Sequence, residues 1–342
     1  MAEGGDWGLI GQEAAVGLLA GGLNRARVPQ GLLLAGPEGT GKRTAALRMA
    51  ASLLCARGPA AGPCGECAPC RHYAAGTAPD YVELSAARGE EIRIDQIRDL
   101  TRQSSLTPQE SGRRVVLVDP AEAMNDYAAN ALLKLLEEPP GAVHFLLISH
   151  RPDRLLATIR SRCQTVAFRA VAGDRLGRWL AEGQGVPAER AVLAARLSGG
   201  APGRALALAE RDLVAERDAV VAGLAAARTG EGESVLELAA SWAKAEPDAW
   251  LPHLLAWLRD LARVTVSAGR AGDDALANPD RREQLAAQAA EQGFAALDAL
   301  LRAAERLAEA VAGRANTLLA AEEFLLAWRR PERAAPQPRT EP

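Results

Sequence analysis

The sequence predicts an α/β domain that carries a phosphate-binding loop, followed by helical domains. Three observations carry this. Short apolar runs alternate with helical patterns through about the first 170 residues, the rhythm of βαβ units. A glycine-rich turn, GPEGTGKRT (36–44), lies between the first of those runs and a helical pattern, the context a phosphate loop requires. After Phe168 the strand-like runs stop, and the remainder is rich in Ala and Leu at helical spacing.

Taken in order, GLLLAG (31–36) reads as a buried strand leading into the turn. A helix follows from about Lys42, with Ala45, Ala46, Met49, Ala50 and Leu53 on its apolar side. DYVELSA (80–86) is a second strand, and RRVVLVDP (113–120), four aliphatics between arginines and a proline, a third. The pattern AEAMNDYAANALLKLLEE predicts one helix over 121–138, stopped by Pro139 and Pro140. HFLLISH (144–150) and CQTVAF (163–168) complete a five-stranded set. Helical breaks at 183–187, 198–203 and 228–234 divide the rest. The predicted domains are 1–168 (with a cysteine module at 55–70), a small helical domain at 169–212 and a larger all-α domain at 213–329. Residues 330–342, rich in Pro and charge, read as a disordered tail.

A chain of 342 residues has room for two or three domains, each with its own core. Its 48% hydrophobic and 24% charged content is ordinary for a globular protein. The net charge of −3 gives no general pull toward nucleic acid or an acidic membrane. No apolar run approaches the roughly 18 residues of a membrane span. The start, MAEGGDWGLIGQE, lacks the basic and apolar regions of a signal peptide, so the cytoplasm is the expected location. In that reducing compartment the five cysteines read as metal ligands or buried thiols.

Three candidate sites emerge. In a phosphate loop the backbone N–H groups and the helix N-terminus cradle an anion, and the lysine reaches its phosphates. Gly36, Gly39, Gly41 and Lys42 fit that role. The residue after the lysine ordinarily supplies a Mg²⁺-ligating hydroxyl. Here it is Arg43, and Thr44 comes one position late. At the third strand's end Asp119 stands where a metal-facing carboxylate belongs, but Pro120 follows where many such ATPases place the base. Glu122 is near, though on the predicted helix it would point elsewhere. Two defects argue that ATP is held, if at all, without hydrolysis. The last site is Cys64, Cys67 and Cys70 in C-x₂-C-x₂-C spacing, with Cys55 nine residues upstream. Four thiolates suit a closed structural zinc site, with Gly65 and Pro69 in the knuckles. His72 is an alternative ligand, and free thiols are the plain alternative reading.

Together these residues resemble the delta-prime family of bacterial DNA polymerase III clamp-loader subunits, which are AAA+ proteins. The likeness rests on IGQE (10–13), GPEGTGKRT, the cysteine set, IRIDQIRDL (92–100), RRVVLVDPAEAMN (113–125), NALLKLLEEPP (130–140) and IRSRCQTV (159–166). Beyond residue 170 it thins to layout and LSGGAPGRAL (197–206). The resemblance implies an AAA+ domain with a five-stranded parallel sheet, a helical lid and an all-α collar. It also implies a place in a five-subunit ring with gamma/tau-type motor subunits and a delta subunit. Such a ring opens the sliding clamp and loads it on primed DNA, with this subunit as a stationary wall lacking ATPase activity. By that likeness Arg162 of Ser161-Arg162-Cys163 is an arginine finger for the neighbouring motor's ATP site. The second sensor arginine of motor subunits aligns with Gly203, and Arg204 lies one along. Rival readings are a motor subunit, which should carry Ser or Thr at 43 and Glu at 120, and an unrelated P-loop ATPase. A direct DNA-binding protein lacks the expected aromatic-studded basic stretch.

Overall fold

The structure, a computed structural model, describes residues 7–87, 90–104, 107–230, 232–267, 272, 276–313 and 315–329. The tail expected at 330–342 lies outside them. The chain forms two compact units, residues 1–179 with 199–204, and residues 180–198 with 205–342.

The first unit is an alternating α/β domain. Its elements run α1 (Glu13–Asn24), β1 (Gly31–Ala35), α2 (Lys42–Leu54), α3 (Ala68–Ala74), β2 (Tyr81–Ser85) and α4 (Ile94–Ser104). There follow β3 (Arg114–Asp119), α5 (Asp126–Glu137), β4 (Val143–Ser149), α6 (Ala157–Arg162), β5 (Gln164–Ala167) and α7 (Gly173–Arg178). The five strands pair in the order β2-β3-β4-β1-β5, and every pairing is parallel. Both faces of the sheet are covered, which is why its central strands read as unbroken aliphatic runs. Leu32, Leu34, Val115, Leu117, Leu146 and Ile148 pack with α1 and α2 on one face. Leu33, Val116, Val118, Phe145 and Leu147 pack with α4, α5 and α6 on the other.

The single helix expected over 121–138 is instead a short 3₁₀ turn at Ala121–Ala123 followed by α5. Met124 is extended and bridges Ile92, and the Asn125 side chain accepts the Ala128 N–H at 2.9 Å, starting the helix anew. An internal Asn suits a cap better than a helix interior.

Asp80, 2% exposed, ties the start of β2 to the approach to β3. Its carboxylate accepts the N–H groups of Gln109 (2.8 Å), Glu110 (2.9 Å) and Ser111 (3.0 Å) and the Ser111 hydroxyl (3.1 Å). Burial alone would raise its pKa; those donors outweigh burial and hold it below the ordinary carboxylate value. A depressed folded-state pKa means the stabilisation is complete above the unfolded value and is lost as pH falls through the folded one. Asp80→Asn should therefore cost about 1–3 kcal/mol near neutral pH, and the gap to the parent should shrink below about pH 4. Urea unfolding at neutral and acid pH measures both, and an equal gap at both would contradict this account.

The other helices are α8 (Ala188–Leu197), α9 (Pro202–Ala209), α10 (Leu213–Thr229), α11 (Gly232–Lys244), α12 (Leu251–Val266), α13 (Arg282–Ala312, interrupted at Gly293) and α14 (Thr317–Arg329). Among the described residues no strand follows β5. The core of the second unit gathers Trp242, Trp250, Trp257, Phe324 and Trp328 with leucines of α10, α12 and α13. Trp242 and Trp250 stack at 4.7 Å, and the indole N–H of Trp328 donates to the Leu224 carbonyl at 2.9 Å. Burying rings while satisfying their polar edge is what makes tryptophan usable inside.

Candidate functional site

The loop between β1 and α2 has the shape expected of a phosphate cradle. Gly36, at φ 149°, hydrogen-bonds through its N–H to the Ser149 carbonyl at the end of β4. A Cβ there would lie 2.1 Å from the Phe168 carbonyl oxygen, so the strand ends close only around a glycine. The Gly39 carbonyl accepts the Gly203 N–H at 3.1 Å, which lays the 199–204 segment on the loop. Arg204, next along, is exposed.

Lys42 is 2% exposed, and its ammonium donates to the carbonyls of Gly36 (2.7 Å) and Pro37 (2.5 Å). Burial presses its pKa down to about 8, against the opposing charges of Asp119, Glu122 and Glu38. An ammonium so desolvated gains from an incoming anion.

Arg43, half-exposed, is tied to two carboxylates. One guanidinium nitrogen donates to Asp119 Oδ2 at 2.7 Å and the other to Glu83 Oε1 at 2.5 Å. Glu83 also accepts the Tyr81 hydroxyl at 2.8 Å, so both its oxygens are held. Strand register explains the meeting. Ser85 pairs with Asp119, and Glu83 lies two residues earlier on the same face of the sheet, toward α2. The alternation Tyr81, Glu83, Ser85 against Val82, Leu84 signals that face in the sequence, though not the partner. Thr44 is exposed and lies about 100° further round the helix than Arg43.

Glu122 does not point away as the single-helix expectation implied. In the 3₁₀ turn its Oε1 accepts the backbone N–H groups of His150 (2.8 Å) and Arg151 (3.1 Å) just past β4. Its charge is felt at Lys42.

The thiols of Cys55, Cys64, Cys67 and Cys70 converge, with all four sulfurs within 4.8 Å of one another. Four sulfurs about 2.3 Å from one zinc would lie about 3.8 Å apart, close to this arrangement. The Cys67 N–H points at Cys64 Sγ from 3.5 Å, and Gly65 turns that knuckle at φ 75°. Backbone N–H groups of Cys67 and Glu66 hold the Cys64 thiol down to about 6, and those of Ala56 and Cys70 lower Cys67, while burial pushes Cys70 up to about 12. Donors aimed at sulfur favour the thiolate, the form that binds metal. His72 is not in the cluster; its Nδ1 faces the Glu110 carboxylate at 2.9 Å.

Ser161, Arg162 and Cys163 close α6 with three separate tasks. The Ser161 hydroxyl donates to the Thr158 carbonyl at 3.0 Å, and Cys163 is buried in the sheet core. Between them Arg162 reaches out, paired with Glu137 at 2.5 Å and donating to the Thr158 carbonyl at 3.2 Å. Two groups this exposed, 36% and 47%, form a pair worth about 0–1 kcal/mol, which holds the arginine without locking it. The Arg162 carbonyl lies beside Gly31, at the start of β1, whereas the phosphate loop begins at Gly36. Five residues of strand separate the two by roughly 17 Å.

Among known families, the profile described as "DNA polymerase III, delta subunit" matches residues 11–172, and that for the same subunit's C-terminal part matches residues 211–330. DNA polymerase III subunit delta' of Pseudomonas aeruginosa is 48% identical over 202 residues, 58% of this chain and 62% of that protein. The delta' subunit of Escherichia coli K12 is 35% identical over 195 residues, 57% and 58% respectively. DNA polymerase III subunit gamma/tau of Mycobacterium tuberculosis is 36% identical over 225 residues, 64% of this chain but 37% of that one. The chain thus matches less than two thirds of each of these relatives. A solved gamma-subunit-related protein from Thermotoga maritima covers 92% of the chain at 20% identity and a TM-score of 0.42, too distant to add to the strand order.

Proposed function

The chain belongs to the DNA polymerase III delta-subunit family, and from that premise we propose that it is the delta-prime-type, stationary subunit of a clamp loader. In this reading it joins gamma/tau-type motor subunits and a delta subunit in a cytoplasmic ring that places the sliding clamp on primed DNA. The 169–212 segment would act as lid and 213–329 as the collar that holds the ring. Cys55, Cys64, Cys67 and Cys70 would hold one structural zinc, whose chemistry is to cross-link the segment; no open ligand position would remain for catalysis.

One observation supports this division of labour above the rest. The chain's exposed finger candidate, Arg162, sits at the opposite strand end from its own phosphate loop, and that loop has an arginine where a metal-ligating hydroxyl belongs. An arginine that far from its own loop does not serve that loop, which supports a role at a neighbouring subunit's site. A planar guanidinium suits charge developing on a transferred phosphoryl group. The motor-subunit reading is disfavoured by the same loop.

Mixing the purified chain with motor and delta subunits should yield a single complex on size exclusion, with clamp-stimulated ATP hydrolysis requiring all three. By itself the chain, given Mg²⁺ and ATP, should show no turnover above a Lys42→Ala control. Turnover of about 1 per second, ordinary for an enzyme, would reverse the assignment to a silent subunit.

A further inference from the structure

The residues at this phosphate loop do not fit a divalent cation. The residue after Lys42 has no hydroxyl, Thr44 is exposed about 100° further round the helix, and the strand-end carboxylate that would face the metal is bonded to a guanidinium. We propose that Arg43 is a tethered replacement for that cation, so that the loop takes a nucleoside polyphosphate without metal.

Charge is the first reason. Asp119 is 14% exposed and Glu83 26%, and both sit on the α2 face of the sheet, bonded to the residue that directly follows Lys42. Left alone they would repel a phosphate chain. The Arg43 guanidinium bonds one oxygen of each, the neutralising task a bound metal performs. Unlike a metal, it is covalently held in the first turn of α2 and needs no recruitment from solution. These two bonds use two of its five N–H groups, and its side chain stays 48% exposed, so donors remain for an anion. Lys42 supplies a second positive charge from a buried position, and the loop's backbone supplies the cradle. Arginine suits such bridging where lysine would not. Its fork spans two carboxylates in fixed geometry, whereas an ammonium is a point charge.

A consequence is that a fixed cation cannot follow the phosphate through a reaction. With Asp119 and Glu83 committed to Arg43, the site is built for holding rather than turnover. Metal-free binding is independent of the ring role proposed above, because it concerns the isolated chain alone.

Calorimetric titration of the purified full chain with ADP and with ATP, in excess Mg²⁺ and in EDTA, tests it. The expected result is binding of equal affinity in both buffers. Arg43→Thr, which restores the Gly-Lys-Thr order, should bind more weakly in EDTA and recover at least about tenfold on adding Mg²⁺, the scale of one charge-assisted interaction. Arg43→Lys should remain indifferent to Mg²⁺ while binding more weakly than the parent. The parent protein alone decides the matter even if the variants misfold. An affinity at least about tenfold higher with Mg²⁺, or no binding of either nucleotide in EDTA, overturns the proposal.

Discussion

Arg162→Ala should leave this protein folded and able to enter the complex, yet cut ATP hydrolysis by the assembled loader. Folding should survive because the side chain is part-exposed and its pair with Glu137 is worth about 0–1 kcal/mol. Burial of Cys163, which anchors the end of α6, is untouched. Arginine fingers supplied in trans contribute about 10³–10⁵ in rate at the site they serve. A ring with several motor sites keeps its other fingers, so the observable loss is one site's share of total turnover. Arg162→Lys should restore little, because a point charge does not reproduce the planar fork. Arg160, exposed on the same short helix, is the control, and its replacement should matter much less. Steady-state hydrolysis by rings reconstituted with each variant is the measurement. Rings carrying Arg162→Ala that hydrolyse ATP at the parent rate would remove the chemical contribution assigned to this chain.

Removing zinc is expected to have the largest effect on stability. Metal analysis of the reduced chain should find about one zinc. Chelation, or Cys67→Ser, should then lower the melting temperature by roughly 10 °C or more, since loss of a metal belongs to the few changes costing above about 4 kcal/mol. The physical reason is that four converging sulfurs, two of them held low in pKa by backbone donors, have no other partner of matching strength. His72→Ala should retain the zinc, because that imidazole faces Glu110 instead. A metal-free, fully reduced chain of unchanged stability would contradict the assignment.

How much of the fold is legible in the sequence depends on the range of each signal. The aliphatic runs of β1, β3 and β4 became the central strands because a strand buried on both faces must be apolar throughout, a requirement written residue by residue. The edge strands β2 and β5 show it only in part. The glycine loop and the C-x₂-C-x₂-C spacing are legible for a similar reason. In each, the backbone and its ligand-bearing side chains lie within a few residues of one another, so spacing dictates geometry. The single helix over 121–138 fails because periodicity continues through Met124 while the helix does not. Pairing with Ile92, over thirty residues away, draws Met124 into extended form and leaves Asn125 to cap α5.

The sequence by itself determined that this chain has a phosphate loop lacking its metal hydroxyl, a four-cysteine set, a strand-ending Asp119 followed by proline, and a helical second half. Only the tertiary structure decided what those features face. Arg43 meets Glu83 because β2 pairs in parallel with β3 in one register, and a one-residue slip would turn Glu83 to the other side of the sheet. Arg162 faces away from its own loop because β5 lies parallel to β1, which puts the end of α6 at the opposite strand end. Such meetings depend on strand order and register, which many distant apolar contacts fix jointly, and no local stretch of sequence carries that information.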